Sequence, residues 1–201
     1  TKNKLEVCVK NISRNVDLIY HDLEIVYDEF SPYLQRKKNI GRQLKRPILK
    51  DLLISGISKG SAIGNSSVIV RRNVLIKVGC ISEDKNLVAS EDYNTWLRIA
   101  QITNQFKYLK KKLGYYLIHD KSAQKKNLSI PHRKAVEEFI WLLNNQQKLD
   151  LEVKLKYMSA NYNSQKNNFE KAKKDFIFVF NNGDFNFKLR SLLKIILMMI
   201  K

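Results

Sequence analysis

The side chains best suited to chemistry stand in three places along the chain. Glu91 and Asp92 are adjacent carboxylates at what reads as a helix start, and a carboxylate held on a rigid element can act as a general base toward a hydroxyl. The same pair also suits the helix dipole, which first-turn acids complement by about 0.3–1 kcal/mol each. His119, one of 3 histidines, closes the apolar segment Tyr115 to His119, where a neutral imidazole serves either as structure or as a ligand for a divalent metal. Gly64-Asn65-Ser66-Ser67 precedes the run Val68-Ile69-Val70 and then Arg71-Arg72. Such a segment either turns the chain into a strand or brings backbone amides and cations to a phosphate or sugar.

Positioning these groups calls for a mixed α/β scaffold. Lys4 to Ile12 sets Leu5, Val9 and Ile12 on one helical face, Val16 to Tyr20 reads as a buried strand, and Leu23 to Tyr27 forms a second apolar run. Phe30 to Arg46, polar and basic with Pro32 and Gly41, reads as a surface loop. Pro47 suits the first turn of a helix that carries Ile48, Leu52 and Leu53 and stops near Gly56. Ser66 to Val70 is a strand, and Asn73 caps a short helix, Val74 to Val78, that Gly79 ends. Ser90 caps the helix of the acid pair, where Tyr93, Trp96, Leu97 and Ala100 recur at i, i+3, i+4 and i+7 as a buried stripe. Phe106 to Leu109 and Tyr115 to His119 read as two further strands.

Beyond Pro131 only helical patterns remain. Val136, Phe139, Ile140 and Leu143 form one face, Tyr162, Phe169, Ala172 and Phe176 another, and Asn181-Asn182-Gly183 separates these from a last helix, Phe187 to Lys201. A boundary near Lys125 divides an α/β domain, residues 1–125, from a helical extension, residues 126–201.

The chain's 201 residues make one domain with an appendage, and 44% hydrophobic content with 7 Gly and 3 Pro supports a packed core and excludes general disorder. Lys plus Arg number 37 against 19 Asp plus Glu, a net charge of +18 that attracts phosphate-rich partners such as nucleic acid, anionic lipid or nucleotide sugars. Helix-turn-helix, zinc-ligand and aromatic RNA-binding patterns are absent and the lysines are dispersed, which disfavours nucleic acid. Cys8 and Cys80 lie far apart without a metal-ligand spacing, as suits a reducing compartment. No secretory leader is visible, and the longest apolar run, Ile195 to Ile200, falls far short of the roughly 18 residues of a membrane span. Lys188, Arg190, Lys194 and Lys201 flank an otherwise apolar segment, so the last helix either docks on the protein's own core or lies at an anionic membrane surface.

Four segments in this order resemble the second, acceptor-side half of a family 2 glycosyltransferase with the GT-A fold: Val16-Asp17-Leu18-Ile19-Tyr20-His21-Asp22, Gly64 to Arg72, Glu91-Asp92-Tyr93-Asn94-Thr95-Trp96-Leu97-Arg98, and Tyr115-Tyr116-Leu117-Ile118-His119. The resemblance covers residues 1 to about 125 and implies a partial GT-A, Rossmann-like mixed sheet followed by the α-helical extension. It implies inverting transfer of a sugar from a nucleotide-sugar donor to a glycan or lipid-linked acceptor, in surface polysaccharide or glycan synthesis. Asp92 takes the role of general base, with its basicity lowered by the helix start, and Glu91 orients the acceptor. Gly64, Asn65 and Ser66 line the donor sugar, with Gly64 leaving room for it; Trp96 and Arg98 support that substrate surface. The resemblance also implies that His119 binds a divalent metal, Mg or Mn, on the diphosphate. Leu117 after Tyr116 departs from the basic residue common in relatives. The family's nucleotide-binding half, with its main Asp-x-Asp metal ligands, would precede Thr1, so the chain is expected to be a fragment, inactive alone. The expected location is cytoplasmic, peripheral at the inner face of the plasma membrane. A noncatalytic remnant and a basic membrane-surface module are the competing readings.

Overall fold

A computed structural model describes residues 2–27, 43–44, 52–60, 63–118 and 126–199. The expected loop from Phe30 to Arg46 lies outside them except for a two-residue strand, as do Pro47, Ile48, Lys125 and His119. The chain divides into two compact units, one of Thr1–Leu53, Ser61–Glu83 and Glu91–Ser122, the other of Ile54–Gly60, Asp84–Ser90 and Ala123–Lys201.

The first unit is mixed α/β, the expected class. Its centre is β1 (Leu18–Tyr27), which joins into one strand the two apolar runs expected to be separate. β4 (Phe106–Ile118) pairs with it in parallel along its whole length, whereas β2 (Gln43–Leu44) and β3 (Val68–Val70) pair antiparallel. Since β4 occupies one edge of β1 throughout, β2 and β3 share the other, at Leu23–Glu24 and Leu18–Tyr20. β4 is likewise one strand where two were expected. Lys110 and Lys111 bulge out where the register steps from His21 opposite Leu109 to Asp22 opposite Lys112, which hides the strand's alternation.

Side chains of β1 alternate between two cores. Leu18 and Tyr20 pack with Val74, Trp96, Ile99 and Phe106 beneath α3 (Arg72–Lys77) and α4 (Glu91–Ile102). Ile19, on the other face, packs with Leu109, Leu113 and Cys8 of α1 (Lys4–Asn11). The inward face of α1 is therefore not the expected one: Leu5 and Val9 are exposed, while Cys8 is 1% exposed with Val7 and Ile12 beside it. The face turned to the protein runs through positions 4, 7, 8 and 11 and includes polar side chains: Lys4 Nζ donates to the Ser66 carbonyl, and Asn11 Nδ2 donates back to the Val7 carbonyl while the Asn11 backbone carbonyl accepts from Lys107. An apolar count selects the neighbouring face instead. Asn73 lies within α3 rather than at its cap, and Gly79, with φ of +79°, ends it as expected.

The second unit is helical. α2 (Leu52–Lys59) runs through Gly56 and stops at Gly60; α5 (Ser129–Val136) leads through a 3-10 segment into α6 (Asn145–Gln165), α7 (Phe169–Asn182) and α8 (Phe185–Met199). A capping box fixes the start of α6, in which Asn144 Oδ1 accepts from the Gln147 amide and Gln147 Oε1 from the Asn144 amide. Tyr162 and Phe169, read as one helix, fall on separate helices because the chain turns at Asn167, where φ is +58°. Lys156 ties α6 to the nearly buried Asp175 of α7 at 2.9 Å, and the Tyr157 ring meets Phe176 of α7 and Phe187 of α8 edge-on. In the same unit, Ser90 is fully buried, with Oγ 2.7 Å from Nδ1 of His132. Burial and the Lys154 cation push the His132 pKa down to about 4, so the ring is neutral near pH 7. Among the described residues no helix is long and apolar enough to cross a membrane.

Candidate functional site

α4 is anchored along its length by Tyr93, Trp96, Leu97 and Ile99, all buried, which leaves its first turn as a rigid mount for the acid pair. Both oxygens of Asp92 are held by backbone amides: Oδ1 accepts from Tyr93 N–H at 2.7 Å, and Oδ2 from Asn65 N–H at 3.2 Å. An ionised carboxylate offers about four lone-pair positions, so each oxygen keeps capacity for a further donor. Burial raises the Asp92 pKa, the negative charge of Glu91 adds to the rise, and the amides of Tyr93 and Asn65 oppose it. The expectation that the helix start lowers its basicity is overturned, since desolvation and a like charge outweigh the amides. The structure thus brings Asp92 and Asn65 of the expected set into direct contact. Glu91 shares the helix start; its Oε2 is buried and without a hydrogen-bond partner among the described residues.

The loop opposite is a single 3-10 turn, Asn65–Ser67, closed by the Ser67 hydroxyl donating to the Gly64 carbonyl at 2.7 Å. Gly64, Asn65 and Ser66 are exposed, and Lys4 Nζ donates to the Ser66 carbonyl at 2.8 Å. Among the described residues a Cβ on Gly64 would meet only Leu23 Cδ1, at an ordinary 3.7 Å, so their packing does not require glycine there. The close approach occurs instead at Gly114 on β4, where a Cβ would stand 2.9 Å from Leu23 Cδ2 and 3.5 Å from His21 Cε1. That histidine is a group the motif reading gave no role. It is 3% exposed, its Nδ1 lies 2.8 Å from the Asp22 carbonyl oxygen, and its Nε2 is buried without a partner among the described residues. Burial lowers its pKa despite the Asp22 carbonyl, and Lys4 adds to the lowering, so it is a neutral imidazole. It lies mid-strand on the same face of β1 as Ile19.

Trp96 and Arg98, expected behind the substrate surface as scaffold more than chemistry, are both engaged within the protein. Trp96 is 4% exposed within the core shared with Leu18 and Tyr20, where a bound sugar would have to displace the packing. The Arg98 guanidinium donates to the carbonyls of Val78 and Cys80 and to Asn94 Oδ1 and Thr95 Oγ1. It braces the connector in which Gly79 and Cys80 both adopt positive φ, +79° and +60°. Arg71 is equally committed, to the carbonyls of Val16 and Ser13 and, at 3.8 Å, to Asp17. Arg72 beside it is exposed. His119 lies outside the described residues, so its relation to Asp92 is not part of this geometry. Among the described residues no three His, Cys, Asp or Glu side chains converge as a metal-holding group. Searches against protein-family models, curated proteins and solved structures found no match to the chain.

Proposed function

We propose that this chain is the acceptor-side half of an inverting glycosyltransferase of the GT-A kind, with Asp92 as general base. The observation that supports it is the state of that carboxylate: rigidly mounted, partly desolvated, with raised basicity, and facing a loop of small exposed residues. In the proposed step the acceptor hydroxyl oxygen attacks the anomeric carbon of the donor as its proton passes to Asp92. The new C–O bond forms as the bond from that carbon to the diphosphate oxygen breaks, and the electron pair leaves with the nucleoside diphosphate. Glu91, in the same first turn, orients the acceptor, and the exposed turn at Gly64 takes the donor sugar. The net charge of +18 favours a polyanionic donor. Mg or Mn would neutralise the diphosphate when bound, but the described residues do not supply its donor set, and the step above uses the chain's carboxylate alone. The reaction belongs at the cytoplasmic face of a membrane, on a glycan or lipid-linked acceptor.

The test is acceptor-dependent release of nucleoside diphosphate by the full-length protein from a panel of uridine, guanosine and thymidine diphosphate sugars, with product configuration read by NMR. The expected product carries the inverted anomeric configuration, as a single displacement requires. Retained configuration would refute the base role of Asp92, and no release from any donor would leave the fold as a noncatalytic remnant.

A further inference from the structure

α8 carries two apolar faces where a docked terminal helix needs one. The first, through Phe187, Ile195 and Met198, packs on Tyr157, Ala160, Ala172 and Phe176 of α6 and α7. The second points away from them and is exposed: Phe185, Leu189, Leu193, Ile196, Leu197 and Met199 each leave two-fifths or more of their surface in solvent, Leu197 58% and Phe185 78%. At 3.6 residues per turn these side chains fill an arc of about 160°, interrupted only by Asn186. Lys188 stands at one margin of that arc, and Arg190 and Lys194 at the other; all three are exposed, and no acid occurs between Phe185 and Met199.

We infer that α8 binds the surface of an anionic bilayer, lying in the interface plane with the exposed arc among the acyl chains. The cationic margins choose this occupant. Long Lys and Arg side chains at the edges of an apolar stripe reach lipid phosphates while their stems stay with the apolar surface. A second copy of the chain meeting the same face would instead bring rows of lysine and arginine together with no acid on either helix to pair them. The net charge of +18 draws the whole chain to the same surface. The inference stands independently of glycosyl transfer, because it uses no residue of the Asp92 site.

Co-sedimentation of the full chain with vesicles of phosphatidylcholine alone, and of an equal mixture of phosphatidylcholine and phosphatidylglycerol, tests it. Binding is expected to the mixed vesicles only, and to weaken on raising NaCl to ~0.5 M as screening shortens the reach of the cations. Two variants separate the contributions: Leu193→Gln with Leu197→Gln, and Lys188→Gln with Arg190→Gln and Lys194→Gln. Each should weaken binding more than about tenfold while circular dichroism and Tm stay unchanged, since all five positions are exposed. Undiminished binding by either variant, equal binding to neutral vesicles, or no binding at all would overturn the inference. So would a lipid-free dimer that the leucine variant dissociates, which would assign the face to a second copy.

Discussion

The chemical character of Asp92 comes from three neighbours acting in different directions. Burial and Glu91 push its proton affinity up; the Tyr93 and Asn65 amides pull it down without prevailing. Replacing Glu91 by Gln removes the like charge and lowers the Asp92 pKa. The acid limb of the kcat profile should therefore move to lower pH in Glu91→Gln, and a limb that stays in place would separate the two carboxylates. Two glycines offer a second contrast. Gly114→Ala forces a methyl against buried Leu23 and His21 and is expected to cost about 1–3 kcal/mol in a denaturant melt. Gly64→Ala meets, among the described residues, Leu23 alone at 3.7 Å and should leave stability within about 0.5 kcal/mol, while a donor sugar seated there would show a raised KM. At this scale the acid pair was legible in the sequence, because two adjacent carboxylates before an aromatic stripe are a local pattern. The demand on Gly114 was not, since it arises from strand pairing with Leu23, distant along the chain.

Elements were legible where one periodicity held from end to end. The stop at Gly79 and the break at Gly183 follow from glycines that act within a turn. β4 reads as two strands because extra residues at 110, 111 and 113 break its alternation, and β1 reads as two because polar His21 and Asp22 interrupt a strand buried on both faces. On α1 an apolar count selects the wrong face, because the covered face includes the polar residues Lys4 and Asn11. In the helical unit, the Ser90–His132 pair makes stability depend on pH in a definite sense. His132 has a folded pKa of about 4, below the ordinary value near 6.5, so between these limits the unfolded chain binds more protons. Stability should therefore be fully present above about pH 6.5 and fall as pH drops toward about 4, by up to about 3 kcal/mol. Urea melts across that range check it: His132→Gln should flatten the slope, and an unchanged slope would place the proton uptake elsewhere.

For the molecule as a whole, the division into a mixed-sheet unit and a helical unit accompanies a division of chemistry. The carboxylate site belongs to the first unit, and the cation-edged helix α8 to the second. Both the net charge of +18 and the amphipathic tail could be read from composition and spacing. That α8 exposes one apolar face while docking the other could not, because it depends on which face α6 and α7 cover. The proposed function rests on Asp92 taking the acceptor's proton. Its most direct test is kcat of the full-length protein and of Asp92→Asn, at saturating donor and acceptor, with circular dichroism confirming that both fold. A carboxylate acting as general base contributes about 10²–10⁴-fold, so the variant should lose at least about a hundredfold in kcat with KM little changed. A kcat within about threefold of the parent would show that the proton leaves by another route.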